Sequence, residues 1–201
     1  MRKRTAILSV FCVLAVVGTS GCDKIMGLIR ANREAVKWNG PVKEIAYEDI
    51  TKDGKTFTIE MRSRIDAPLD RVWAVLQTPE TLADHSDQYK LSKLLKHEGN
   101  VKELELHVMA LGNLQNFIMR LTFDDAKHVV HLKTLQSTLA DITGSYELQP
   151  SPDGKKTLYV YKAKQTDKVA LPLSVDVQRS AIKESFVNQV RAMKDQLPKA
   201  G

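Results

Sequence analysis

The chain has 201 residues, of which 30 are basic and 24 acidic, giving a formal net charge of +6. Aromatic residues make up 6% of the chain and the basic residues form no stripe, so the composition gives no case for nucleic-acid binding. The length suits one domain of ordinary size with its own core.

The first 21 residues have the three parts of a secretory signal. Residues 2–4 are basic, residues 6–17 are apolar and uncharged, and residues 19–21 are small. The apolar run has about a dozen residues, whereas a membrane-spanning helix needs roughly 20, which favours cleavage over an uncleaved anchor. Removing residues 1–21 leaves 27 basic and 24 acidic residues, a net charge of +3.

The run Thr19-Ser20-Gly21-Cys22 resembles the lipobox of bacterial lipoproteins. The resemblance implies that the chain is cut before Cys22 and that lipid on this cysteine attaches the protein to a membrane. Thr19 departs from the leucine that this family prefers, and ordinary cleavage leaving a free thiol is the alternative. The chain has 2 cysteines and Cys12 leaves with the signal, so the mature protein has no internal disulfide.

Residues 22–42 are predicted to be a lipid-anchored tether, either a short amphipathic helix or a flexible linker. Asp23 directly follows the cysteine and resembles the signal that keeps enteric-type lipoproteins in the inner membrane. We therefore expect the periplasmic face of the inner membrane, with the outer membrane and the cell surface as alternatives.

A strand is predicted over residues 57–65, where apolar and polar residues alternate. Asp53-Gly54 is typical of a hairpin that joins it to a partner strand over 43–51. A short helix begins near Pro68, with Asp66 or Ala67 at its cap, and a second begins at Thr78-Pro79-Glu80.

Further strands follow, separated by turn residues. They are predicted over residues 88–97, 101–111, 115–124, 128–137, 140–149 and 156–166. Apolar residues at steps of three and four then predict one long helix over residues 175–197.

This order of elements predicts an α+β domain over residues 43–198, with two short helices after the first core strand. The long C-terminal helix is large enough to cover the apolar face of the sheet, so we predict a helix-grip fold, a curved antiparallel sheet wrapped around that helix. Residues 65–73 resemble the first strand-to-helix junction of the START-like, polyketide cyclase/dehydrase (SRPBCC) superfamily, and residues 180–197 resemble its closing helix. The resemblance covers residues 57–197.

This resemblance implies a deep apolar cavity that holds a lipid, sterol, quinone or polyketide-like ligand; a filled core is the alternative. Nine residues on the apolar faces of the predicted elements are expected to line the cavity: Trp73, Met61, Phe117, Met119, Leu121, Tyr146, Phe186, Val190 and Met193. The leucines of residues 110–114 either gate the cavity or belong to a plain hairpin turn.

The sequence gives no positive sign of catalysis, and we predict no catalytic residue, metal or cofactor. His128 and His131 are three apart in a predicted strand and face opposite sides, which is wrong for two ligands of one metal. No nucleophile elbow or glycine-rich phosphate loop is present. A structure that places Asp84, His85 or His107 inside the cavity would favour the hypothesis that the protein is an enzyme.

The preferred hypothesis is therefore a membrane-tethered binding or transfer protein for a hydrophobic small molecule. The alternatives are a cyclase or dehydratase on the same fold and an envelope accessory protein with a closed core. The sequence gives no indication of oligomeric state.

Overall fold

The computed structural model describes Trp38, residues 44–110 and residues 112–197. The predicted signal, Cys22 and the tether lie outside these residues, apart from Trp38. In the described part of the chain, no helix combines the length and apolarity needed to cross a bilayer.

An eight-stranded antiparallel sheet forms the body of the domain. Its strands are β1 (Tyr47–Asp53), β2 (Thr56–Ile65), β3 (Tyr89–Glu98), β4 (Val101–Ala110), β5 (Asn113–Asp124), β6 (Val129–Ser137), β7 (Ala140–Pro150) and β8 (Thr157–Asp167). Their order across the sheet is β1-β2-β8-β7-β6-β5-β4-β3, so β2 pairs with the distant β8. The other neighbours are joined by hairpins.

Two short helical segments connect β2 to β3. They are α1 (Leu69–Leu76) and a 3₁₀ helix (Pro79–Asp84). Pro68 is the residue at which α1 begins, because its carbonyl accepts hydrogen bonds from the amides of Arg71 and Val72. No side chain caps this end of the helix. The cap therefore lies at Pro68 and not at Asp66 or Ala67.

The C-terminal helix α2 (Val175–Gln196) packs against one face of the sheet. Ser174 caps it, because its hydroxyl oxygen accepts a hydrogen bond from the Val177 amide at 3.3 Å. Phe186, Val190 and Met193 are buried on the side that meets the sheet. They pack there with the inward residues of the strands, including Phe57, Met61, Leu104, Val130 and Tyr159.

The predicted α+β helix-grip fold is confirmed, with local differences. β1 begins at Tyr47 and not at residue 43, and the second short segment is a 3₁₀ helix. His128 lies in the turn before β6 with a φ of 52°, so it does not share a strand with His131.

Gly144 on β7 permits a close approach to β8. A Cβ atom at this position would lie 2.1 Å from the Lys162 carbonyl oxygen and 2.8 Å from the Ala163 Cα. Both contacts involve backbone, which cannot move aside without separating the paired strands.

We expect Gly144→Ala to lower the free energy of unfolding by about 1–3 kcal/mol, because the added methyl group overpacks the β7–β8 pair. Urea unfolding followed by circular dichroism measures this change. Ser145→Ala, on the next residue of the same strand, is the control and should stay within about 0.5 kcal/mol of the parent. Equal stability of the two variants would contradict the steric argument.

Candidate ligand-binding cavity

Two chambers lie between the sheet and α2. The inner chamber has a volume of about 60 Å³ and the outer one about 180 Å³. Apolar side chains from α1, the 3₁₀ helix, the sheet and α2 surround the inner chamber; among them are Val75, Leu76, Leu82, Leu104, Leu121, Val130 and Met193. The outer chamber extends along α2 from Phe186 and Ser185 towards Gln178.

Six residues line both chambers and form what we call the neck. They are Tyr89, Leu106, Met119, Leu132, Tyr146 and Gln189. Because the same side chains border both volumes, the two chambers adjoin each other at the neck. Three of the six carry polar atoms, so the neck is a polar section between apolar walls.

The neck belongs to a cluster of four tyrosines, of which Tyr89 and Tyr159 are buried and Tyr146 and Tyr161 are partly buried. Tyr146 stacks between Tyr159 and Tyr161, with ring centroids 5.4 and 5.3 Å away. Tyr89 starts β3 and is 9% exposed. The Tyr159 hydroxyl is buried and finds no hydrogen-bond partner in the described part of the chain.

Burial raises the pKa of all four phenols. It is the largest cause for Tyr89, and the nearby Tyr146 adds to it. For Tyr146 the side chain of Gln189 partly offsets the effect of burial on the pKa. The pKa values of Tyr159 and Tyr161 are raised well above the usual value for the same reason. The cluster is therefore neutral at physiological pH.

A polar network closes the far end of the outer chamber, where Asp167, Leu171 and Gln178 also border a surface groove. The Lys52 ammonium donates to the Gln178 side-chain oxygen at 2.7 Å and lies 3.4 Å from the Asp167 carboxylate. Gln165 donates to the same carboxylate at 3.2 Å. We call this end of the cavity, with its ion pair, the mouth.

Six of the nine predicted lining residues border the chambers. They are Phe117, Met119, Leu121, Tyr146, Phe186 and Met193. The other three are buried in the core away from both chambers. Met61 and Val190 are fully buried there. Trp73 packs edge-on against Phe123, and its indole N–H donates to Asp125 at 3.1 Å, so it attaches α1 to the β5–β6 turn.

Sequence reasoning missed the polar lining residues Tyr89, Gln189, Gln178 and Asp167. Tyr89 lies in a strand with weak alternation, and glutamines on a helix are ordinarily read as solvent-facing. Their positions do carry a signal, because Gln178 and Gln189 lie three or four residues from Ile182, Phe186 and Met193 on the apolar stripe. A polar residue within such a stripe marks a position that faces the interior.

The residues considered for catalysis or metal binding lie elsewhere. Asp84 and His85 are exposed, and His107 pairs with Glu105 at 2.9 Å; none of the three borders a chamber. Within the described residues, no three His, Cys, Asp or Glu side chains form a group able to hold a metal ion.

Several solved structures share this arrangement of strands and helices. The Zhui aromatase/cyclase from Streptomyces sp. R1128 is 19% identical, with a TM-score of 0.63 over 70% of this chain and 93% of that one. A START superfamily protein from Mycobacterium smegmatis is 13% identical, with a TM-score of 0.58 over 70% and 96%. The chain has the START-like fold.

A plant protein has a similar structure. Ginseng major latex-like protein 151 from Panax ginseng is 13% identical, with a TM-score of 0.56 over 72% of this chain and 100% of that one. No family model and no curated protein matches the sequence. Likeness at these identities shows a shared fold.

We expect stability to fall as the pH rises above about 10. Unfolded phenols ionise near that pH, whereas the four tyrosines of the cluster keep their protons in the folded state because their pKa values are raised. The unfolded state therefore binds fewer protons above pH 10, and the free energy of unfolding decreases.

A Tyr47→Phe variant removes the exposed phenol and leaves only the four tyrosines of the cluster. In it, the tyrosinate absorbance at 295 nm should rise together with the loss of far-UV circular dichroism. A rise in absorbance that precedes unfolding would mean that the hydroxyls are open to solvent.

Proposed function

We propose that this protein is a membrane-tethered binding or transfer protein for a hydrophobic ligand held between the sheet and α2. The two-chamber cavity carries the proposal. Protein interiors are packed to high density, and unfilled apolar volume costs stability. Two adjoining chambers between the sheet and α2 of a small domain are therefore best explained by a ligand that occupies them.

The residues that line the cavity fit a hydrophobic ligand. The inner chamber is bordered mainly by aliphatic side chains, and polar atoms are concentrated at the neck and at the mouth. An apolar ligand gains free energy on leaving water for such a site, at roughly 25 cal/mol per Å² of buried apolar surface. The cavity also favours ligand binding over an accessory protein with a closed core.

The second part of the proposal is attachment through lipid on Cys22, at the periplasmic face of the inner membrane. The 22 residues from the cysteine to Glu44, if fully extended, reach at most about 75 Å. Such a tether keeps the cavity close to the bilayer, where hydrophobic molecules accumulate.

Exposed apolar side chains at the mouth support contact with the bilayer. Val169, Leu173 and Val175 border the surface groove next to the mouth and are 45%, 37% and 38% exposed. Val177 follows on the first turn of α2 and is 45% exposed. Leu114 is half exposed at the tip of the β4–β5 hairpin, whose Ala110 borders the outer chamber. Leu111, in the same tip, lies outside the described residues.

The cavity is tested by filling it. Ser185 borders the outer chamber, and Ser185→Phe should place a ring inside that volume. Organic extraction of the purified protein followed by mass spectrometry should recover a hydrophobic molecule from the parent and at least about tenfold less from this variant.

The matched control is Ser180→Phe, which adds the same ring on the exposed side of the same helix. It should retain the parent's ligand. Extracts of the parent that contain no hydrophobic molecule above background, together with no binding in lipid overlays, would refute the proposed function.

The membrane contact is tested on a Cys22→Ser protein without the signal, which lacks lipid. Flotation with phosphatidylcholine vesicles should recover a fraction of this protein. Val169→Asp combined with Val177→Asp should lower that fraction at least about tenfold. Each valine that enters the bilayer contributes roughly 1.5 kcal/mol to the free energy of membrane binding.

Leu95→Asp is the control for this pair, because Leu95 is 44% exposed on β3 and borders neither the cavity nor the groove. It should float like the parent. If the valine pair and the leucine control behave alike, the mouth is not the membrane-facing surface.

A further inference from the structure

One segment in the wall of the inner chamber is held in place mainly by polar contacts. This segment is the 3₁₀ helix, Pro79–Asp84, which we call the strap. We infer that the strap opens and gives the inner chamber an exit of its own, at the opposite end of α2 from the mouth, and that Lys102 holds it closed. The inference rests on the proposed function, since it concerns the route by which a ligand leaves the cavity.

Two side chains of the strap form part of the wall of the inner chamber. Pro79 and Leu82 are buried and border that chamber, and neither borders the outer one. Leu82 packs in a small cluster with Tyr89, Val108 and Ala192, which is separate from the main core. The strap can therefore lift without breaking the main core, and lifting it uncovers the inner chamber.

Lys102 makes the charged contact that holds the strap closed. Its ammonium lies 3.2 Å from both carboxylate oxygens of Glu80 and donates to the Gln77 carbonyl, just before the strap, at 2.7 Å. Hydrogen bonds between charged groups are stronger than those between neutral groups. Breaking this contact is therefore the main polar cost of opening the strap.

The position of Lys102 in the sheet is unusual for a lysine. The residue is 9% exposed on the inward face of β4, and its neighbours on that face, Leu104 and Leu121, border the inner chamber. An apolar side chain at such a position often stabilises a fold as much as an ion pair does, so stability alone does not call for a lysine here. The Glu80 side chain is 32% exposed, so water can solvate the carboxylate once the pair separates. Such a contact suits a segment that opens and closes.

Two neutral hydrogen bonds join the strap to other elements. The Ser92 hydroxyl on β3 donates to the Pro79 carbonyl at 2.7 Å. The Thr81 hydroxyl donates to the side-chain oxygen of Gln196, the last residue of α2, at 2.8 Å. These groups can bond to water when the strap lifts, so the net cost of breaking each bond is small. A 3₁₀ helix also has poorer internal hydrogen-bond geometry than an α-helix.

The strap and the mouth lie at opposite ends of α2. Gln178 belongs to the mouth, whereas Gln196 contacts the strap. These residues are about 18 positions apart, which at about 1.5 Å per residue separates the two openings by about 27 Å. With the mouth at the bilayer, a ligand that leaves through the strap reaches an acceptor other than that bilayer.

Amide hydrogen exchange followed by NMR tests the strap without any ligand. The Thr81 and His85 amides donate to carbonyls at the strap and report its opening. Lys102→Met keeps a side chain of similar length and removes the ammonium. In the Cys22→Ser protein without the signal, it should speed exchange at these two amides at least about tenfold, because the open state gains population. Amides of β2 and β8 should exchange as in the parent.

Arg120→Met is the matched control, because it removes an exposed ion pair with Glu103, the residue next to Lys102. It should leave exchange in the strap unchanged. Thr81→Val is a second, uncharged variant that cuts the bond to Gln196, and it should speed exchange at His85. Acceleration in the strap only together with β2 and β8, or none in either variant, would mean that the strap does not open separately and would overturn the inference.

Release of 1-aminonaphthalene, a neutral two-ring fluorophore, tests the exit. Protein loaded with this probe is mixed with excess phosphatidylcholine vesicles in a stopped-flow fluorimeter. Lys102→Met should speed release at least about fivefold and change the equilibrium dissociation constant less than about twofold, because a minor open state speeds entry and release alike.

Arg120→Met should release the probe at the parent's rate. Equal rates in Lys102→Met and the parent, or equal acceleration by the two variants, would overturn the inference and leave the proposed function standing. A parent that binds no probe would also overturn it, whereas failure of the proposed function is judged separately by the extraction and cavity-filling experiment.

Discussion

The structure depends on a mismatch in width between one helix and the sheet that it covers. Eight strands spaced roughly 4.8 Å apart make a sheet about 34 Å wide. A helix with its side chains measures about 10–12 Å across. Because α2 covers only part of the apolar face, α1 and the 3₁₀ helix pack beside it and the sheet must wrap around all three. The remaining volume is the cavity.

This arrangement separates the residues that hold the fold together from those that border the cavity. Met61 and Val190 fill the side where α2 meets β2 and β8, and Trp73 attaches α1 to the β5–β6 turn. The chambers are bordered by residues of β3 to β8 and of α2, and by none of β1 or β2. Substitutions in the first set are expected to act on stability, while those in the second can act on binding with less damage to the fold.

The sequence was a good guide to the fold and a partial guide to the cavity, for physical reasons. Alternation along β2, β5 and β7 and the helical stripe of α2 report which side is apolar, and that side becomes the core. The inward face of β8 was ambiguous in the sequence, because Leu158 and Tyr159 lie on opposite faces of the strand and both are apolar and buried. Apolarity alone does not separate a core position from a lining position, so Met61 and Phe117 look alike in sequence. The apolar stripe around Gln189 marks its inward position, whereas the lining position of Tyr89 depends on contacts between distant strands and α2, which local patterns do not encode.

Lys52 has a consequence for the kinetics of ligand exchange. Its ammonium connects β1 to the end of β8 at Asp167 and to the first turn of α2 at Gln178, and it is mostly buried. Lifting the start of α2 would break the Lys52–Gln178 hydrogen bond and leave this cation with Asp167 on β8, which is costly in a partly dehydrated setting. The Lys52–Gln178 hydrogen bond would thus act as a latch for any ligand that passes through the mouth. A latch of this kind slows association and release by the same factor, so residence time can change while equilibrium affinity stays constant.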